Sequence, residues 1–296
     1  MRGRFSLSAY MCASLVLLVA SAVAMNEPTI PVVESLLLRC SSERSQGLER
    51  AIKRDDTAEV KRLLRAGADP NAGTMLGLPL HLFVEYECDE KIGRRLIAAG
   101  ADVKRVAGWE SVTPLHTAVR MGPQVAAVEM LLQAGADSDA RDRHGRTPLH
   151  RLSRTMLKRS SARSYDTAEV VSILKKYGAD VNARDHAGET PVHATVTPDA
   201  LRALLAAGAD GNAQDNRGRT PVHVVSKSRV LCELCKQGAS LEIQDRDGRT
   251  PLAYLARGLE DIRGEIDMTF TRVRVLIELG AHLQEHESML TRYAWW

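Results

Sequence analysis

Five histidines, His81, His116, His150, His193 and His223, each close a short phrase of one kind: "LPLH", "TPLH", "TPLH", "TPVH" and "TPVH". Imidazole changes charge near neutral pH and is the commonest zinc ligand, so a recurring histidine raises acid–base catalysis or a metal centre. Cys232 and Cys235 raise a second chemistry, because Cys-x-x-Cys is the spacing of a redox pair. Whether either chemistry is open to the chain depends on the elements that carry these residues.

Those elements repeat. A second phrase recurs in phase with the first: "AGADPNA" at Ala66, "AGADVKR" at Ala99, "AGADSDA" at Ala134, "YGADVNA" at Tyr177, "AGADGNA" at Ala207, "QGASLEI" at Gln237 and "LGAHLQE" at Leu279. From its glycine to the next Thr-Pro the spacing is 12 residues at Gly135, Gly178, Gly208 and Gly238. Thr before Pro fits a helix N-cap followed by proline at the first helical position. Pairs such as Leu63-Leu64, Leu131-Leu132 and Leu204-Leu205 sit on a second helix, and Gly is placed for the left-handed residue that ends it. Connectors such as "ARDRHG" and "AQDNRG" hold the Asp, Asn and Gly of tight turns.

In these two phrases the sequence resembles the ankyrin repeat family, whose unit of about 33 residues carries T-P-L-H-x-A and a later G-A-D-x-N-A. The resemblance covers residues 48–285 and implies an all-α solenoid of about seven helix-turn-helix repeats joined by β-hairpin-like loops. The repeats fall at about 48–73, 74–107, 108–141, 142–184, 185–214, 215–244 and 245–285, after a linker over 25–47 and before a tail over 286–296. It further implies that the recurring histidine hydrogen-bonds between neighbouring Thr-Pro turns. Equivalent residues of stacked helical layers lie about 10 Å apart, whereas zinc needs its nitrogens near 2 Å, so the histidines cannot share one ion. Cys235 falls on an expected buried leucine position with Cys232 one turn back, near a helix C-terminus that does nothing to lower a thiol pKa, which favours a small hydrophobe over a redox pair.

Departures from the pattern carry their own expectations. The first unit has Glu49 where the histidine belongs, as in a cap with a solvated outer face. Leu78 replaces the threonine of the second, and the units starting at Thr190 and Thr220 are short enough for their helices to lose about a turn. The helical period of Leu149, Leu152, Met156 and Leu157 predicts a first helix running to about Arg159, with Asp166 and Glu169 boxing the start of the next. The set Leu252, Leu255, Leu259, Ile262 and Ile266 predicts another long helix after Thr250. The final "RYAWW" is expected to cover the last repeat.

Aromatics make up only 4% of the 296 residues, which suits thin, closely stacked helices. Arg2 and Arg4 precede an uncharged run from Phe5 to Met25 that ends in Ala22-Val23-Ala24, an export signal with cleavage expected after Ala24; an uncleaved anchor over residues 5–25 is the alternative. Either way a periplasmic or secreted compartment, or the outer side of a membrane, is expected. Loss of the signal takes two of 40 basic residues, leaving 38 against 37 acidic ones, so overall charge names no partner and gives no nucleic-acid signature. Cys40, Cys88, Cys232 and Cys235 remain in the mature chain and could pair in several ways. No nucleophile elbow, phosphate loop, dinucleotide fingerprint or zinc-protease motif occurs, so no catalytic residue, metal or cofactor is expected.

A non-catalytic scaffold is therefore expected, one that binds another protein through its concave face and loop tips. The tip residues are Arg143, His144 and Arg146; His186, Ala187 and Glu189; Asn216, Arg217 and Arg219; Arg246, Asp247 and Arg249. Six arginines against two acidic residues make the tips basic and point to an acidic partner surface; arginine as an ordinary soluble loop residue, and a redox role for Cys232 and Cys235, are the alternatives.

Overall fold

The computed structural model describes residues 43–73, 77–120, 125–154, 167–261 and 266–278. The leader, Cys40, the continuation to Arg159, the Asp166 capping box and the "RYAWW" tail all lie outside these residues. No described helix is long and apolar enough to cross a membrane. The chain divides into two compact units, at Ala101 and Asp102.

In the first unit, a helix over residues 43–53 is followed by helices Thr57–Arg65, Pro79–Glu85 and Glu90–Ala98. Asp56 and Asp89 start the second and fourth of these by accepting backbone N–H groups with their carboxylates, at 2.9 Å from Glu59 and 2.9 Å from Lys91. Leu48, Ile52, Val60, Phe83, Ile92 and Leu96 are fully buried between them. Leu78 supplies no side-chain cap, as its apolar side chain dictates, and Pro79 opens the helix on its fixed φ alone. Glu49 differs from expectation: it is buried rather than solvated, and pairs with Lys53 at 2.9 Å one turn on.

The second unit is two layers of helices. Its first layer contains Pro114–Arg120, Pro148–Ser153, Pro221–Val224 and Pro251–Asp261; its second contains Val125–Gln133, Thr167–Lys176, Pro198–Ala206, Ser228–Lys236 and Ile266–Glu278. Helices pack on their neighbours within each layer and across to the other. The seam is built from Leu115, Leu131, Leu149, Leu174, Leu201 and Leu204, all at 1% exposure or less. Second helices close on glycine: Gly135 has φ +88°, and Ala136 N–H returns to Leu131 C=O at 3.0 Å, so a carbonyl that the helix leaves open is satisfied.

The short unit at Thr190 goes further than the expected lost turn. Only Ala194, Thr195 and Val196 separate His193 from Thr197, the cap of the next helix, and residues 191–194 form no α-helix at all. They make i→i+3 bonds instead, His193 N–H to Thr190 C=O at 3.0 Å and Ala194 N–H to Pro191 C=O at 3.2 Å. The matching segment after Thr220 keeps four helical residues. The expected extension after Thr250 is present, 11 residues against seven in Pro114–Arg120, although Ile266 starts the following helix. After His150 the helix closes at Ser153, with Arg154 as its cap.

Candidate functional site

Each Thr-Pro-x-His histidine of the second unit, His116, His150, His193 and His223, has both ring nitrogens occupied by hydrogen bonds. The backbone N–H of Thr147 donates to His150 Nδ1 at 3.2 Å, with the Thr147 hydroxyl 3.0 Å from the same nitrogen. Nδ1 is thereby an acceptor, which leaves the proton on Nε2 to donate to Glu189 C=O in the next repeat at 2.9 Å. His116, His193 and His223 repeat the arrangement onto Arg146, Arg219 and Arg249 C=O at 3.0, 3.0 and 3.1 Å. The histidine thus fills the third helical position of a capping box, where glutamate is usual, and ties two repeats together. Its pKa is lowered in all four cases, chiefly by burial, so the ring is neutral. A ring with both nitrogens committed has no lone pair for a metal and no proton to relay. His81 is buried at the same helix position, but the hydroxyl partner is lost with Leu78.

Cys235 is poorly placed for redox chemistry. Leu231 and Leu234 take the buried positions of the Ser228–Lys236 helix, so Cys235 is half-buried and not on the core leucine site that its spacing predicts. It matches the second leucine of the pair Leu204-Leu205, which is also half-buried. Both cysteines are free, and burial, then proximity to Cys232, pushes the Cys235 thiol up to about 11, so Cys235 carries no thiolate near neutral pH. Cys88 is buried, donates to Ile52 C=O at 3.1 Å, and is likewise pushed up to about 11 by burial.

The loops before Thr147, Thr190, Thr220 and Thr250 are each built around one aspartate. Asp215 Oδ1 accepts the N–H groups of Arg217 at 2.8 Å and Arg219 at 2.9 Å, while Oδ2 receives the Arg219 guanidinium at 2.6 Å. Asp245 does the same with Asp247, Arg249 and the Arg249 guanidinium, the last at 2.8 Å. Asp142 binds the N–H groups of His144 and Arg146, and takes Arg151 at 2.5 Å. Gly188 completes its hairpin at φ +77°, and a Cβ there would stand 2.7 Å from the backbone N of Asn216. Only glycine allows that approach.

These hairpins form a ladder. Arg143 N–H donates to Glu110 C=O, His186 N–H to His144, Asn216 N–H to Ala187 and Arg246 N–H to Arg217, all at 2.9 or 3.0 Å. The tips are thereby held in one row by backbone bonds rather than by their side chains.

Along that row the predicted residues separate into two kinds. Arg146, Arg219 and Arg249 are part-buried and spent on the fold: Arg146 reaches Asp185 at 3.4 Å, Arg219 reaches Glu189 at 3.5 Å, and Arg249 also pairs with Asp247. Tyr254 lies between the last two, its ring 6.0 Å from the Arg219 guanidinium and 5.3 Å from that of Arg249. The expectation that all six arginines are solvent-facing is therefore corrected for these three. Arg143, Arg217 and Arg246 are exposed and have no acidic partner among the described residues, and His186, Ala187, Asn216 and Asp247 are exposed beside them, while His144 and Glu189 are half-buried. One residue was not in the predicted set. Trp109 is 74% exposed at the tip of the hairpin closed by the Ala107–Val112 bridge, and the Arg143 guanidinium lies 4.4 Å over its ring. Its connector, Gly100 to Thr113, is one residue longer than the others and has no Asp-x-x-Gly, so it does not align with them.

A family model described as ankyrin repeats in three copies matches residues 48–142 and 80–185. The chain is 36% identical over 116 residues to ankyrin repeat and SOCS box protein 11 of Danio rerio, covering 38% of this chain and 37% of that protein. It is 30% identical over 128 residues to palmitoyltransferase Hip14 of Drosophila melanogaster, 43% of this chain and 19% of that one. The chain thus spans well under half the length of either relative. Its fold is that of the ankyrin repeat domain of Bcl-3, with a TM-score of 0.58 at 24% identity over 78% of this chain and 97% of that domain.

Proposed function

The chain belongs to the ankyrin repeat family, a fold that serves in general as a non-enzymatic protein–protein interaction scaffold, and from that premise we propose that it binds a protein partner outside the cytosol across the row of hairpin tips. The observation that carries this is the division of the arginines. Those that could neutralise the local carboxylates do so, and Arg143, Arg217 and Arg246 are left exposed, Arg143 beside the exposed Trp109. Exposed tryptophan and arginine are the residue types that most often dominate binding energy at protein interfaces. The acidic residues of the two relevant hairpins, Asp215, Asp245 and the exposed Asp247, are paired with Arg219 and Arg249, which leaves Arg217 and Arg246 to meet negative charge on a partner.

The export half of the proposal rests on Arg2 and Arg4 before the apolar run, and on Ala22 and Ala24 at its end. N-terminal sequencing of the protein from its native source is expected to begin at Met25; an intact Met1 in a membrane fraction would establish the anchor instead, and an intact Met1 in the cytosol would overturn export. For the binding half, a photoreactive amino acid placed at position 109 of the full chain is expected to cross-link to a second protein of the same compartment.

A further inference from the structure

Building on that reading of the tips, we propose that the occupant is an extended acidic peptide segment held at two points, an apolar residue next to an acidic one at Trp109 and Arg143, and an acidic pair at Arg217 and Arg246. The spacing of the two points follows from the ladder. Each hairpin tip is a pair of consecutive turn residues, and equivalent residues of neighbouring repeats lie about 10 Å apart. Arg217 and Arg246 are joined by a backbone bond between neighbouring hairpins, which sets two exposed cations side by side, while Asp247 next to them is paired with Arg249. Arg143 and Asn216 hold the same place in hairpins two repeats apart, about 20 Å at that spacing, and Arg217 is the next residue, about 3.8 Å on, so the two points lie about 24 Å apart. An extended peptide rising about 3.3 Å per residue crosses that gap in about seven residues.

The stretch between the points selects against charge. Ala187 and Asn216 carry no charge, and Asn216 is tied back by its amide to His186 C=O at 3.1 Å. A segment acidic throughout gains nothing there, while one with acid at both ends and neutral residues between matches the row. Trp109 already carries the Arg143 guanidinium on one ring face, so an apolar side chain packing on the rest of the ring sets the adjacent carboxylate against that arginine.

The probe is a synthetic peptide of Leu-Glu, seven alternating Ser and Thr residues, and Glu-Glu, made in both sequence orders and labelled for fluorescence anisotropy with the full-length protein at low salt. One order is expected to bind about tenfold tighter than the same peptide with a three-residue spacer, which reaches a single point at a time. Arg217→Glu is expected to abolish that preference, and a probe ending in Lys-Lys to bind the variant better than the wild type. Long and short spacers of equal affinity would show general charge attraction and overturn the proposal. If no probe binds while position 109 still cross-links to a protein, the acidic two-point segment is wrong and the scaffold reading stands; if the cross-link fails as well, both fall.

Discussion

Replacing His150 with alanine will lower the unfolding free energy by about 3 kcal/mol, because it leaves two buried backbone groups without partners, at about 1–3 kcal/mol each. The Thr147 N–H loses its acceptor at 3.2 Å and the Glu189 carbonyl its donor at 2.9 Å, and His150 itself is 1% exposed, so water cannot replace the ring without a cavity opening first. The damage spans two repeats, since the two orphaned groups lie on either side of one seam. Urea unfolding followed by circular dichroism reads the change directly. A loss below about 1 kcal/mol would mean that the ring is not the strut described, and a change in bound metal without a change in stability would restore the metal reading.

Acid will unfold the stack in two stages. His116, His150, His193 and His223 have pKa values lowered by burial from the ordinary 6.5, against bonds to backbone carbonyls that work the other way. Below that value the unfolded chain takes up protons that the folded chain refuses, so stability is complete above pH 6.5 and falls as the pH drops toward the folded pKa values. Each fully resisting histidine costs about 1.4 kcal/mol per pH unit, and four together set a limiting slope near 5 kcal/mol per unit. The second stage begins lower. Burial alone would raise Asp142, Asp215 and Asp245, but the N–H groups and arginines around each outweigh it and hold all three below 3.8, so their contribution is present above that value and is lost beneath it. Urea midpoints at pH 7.5 and 5.5 should differ strongly, and His150→Ala should reduce the slope by about a quarter. Equal midpoints would contradict the neutral, doubly bonded rings.

The histidine struts were legible in the sequence because Thr-Pro-x-His places the ring at the third helical position of each repeat, a spacing that fixes its partner within the same turn. The Gly that ends each second helix and the Asp and Gly of each connector were legible for the same reason, since only a few residue types satisfy those backbone shapes. The division of the arginines was not. Arg217 and Arg219 are two residues apart in one loop, and nothing in composition shows that the residue four beyond the aspartate turns back onto Oδ2 while its neighbour faces water. Trp109 escaped because its connector has a different length and lacks the aspartate that marks the other tips, though a tryptophan in a turn-rich segment of an aromatic-poor chain was a usable signal. Cys235 was placed one contact too deep because leucine pairs look alike in sequence, and only packing shows that the first of Leu204-Leu205 enters the core and the second rides its edge.

Two arginine sets on one row give the account its sharpest consequence: a tip residue can be altered without cost to the stack, and a hairpin residue cannot. Cross-linking inherits that contrast, because it reports where a partner sits without requiring the partner to be known. The full chain, carrying a photoreactive residue at position 109 or 187 on the tips, or at 126 or 202 on exposed positions of the second-layer helices, is irradiated in its native compartment. Cross-links from 109 and 187 to one common protein, absent from 126 and 202 and lost when Arg217 and Arg246 are reversed to Glu, are the predicted result; capture from 126 or 202 with none from the tips would contradict it.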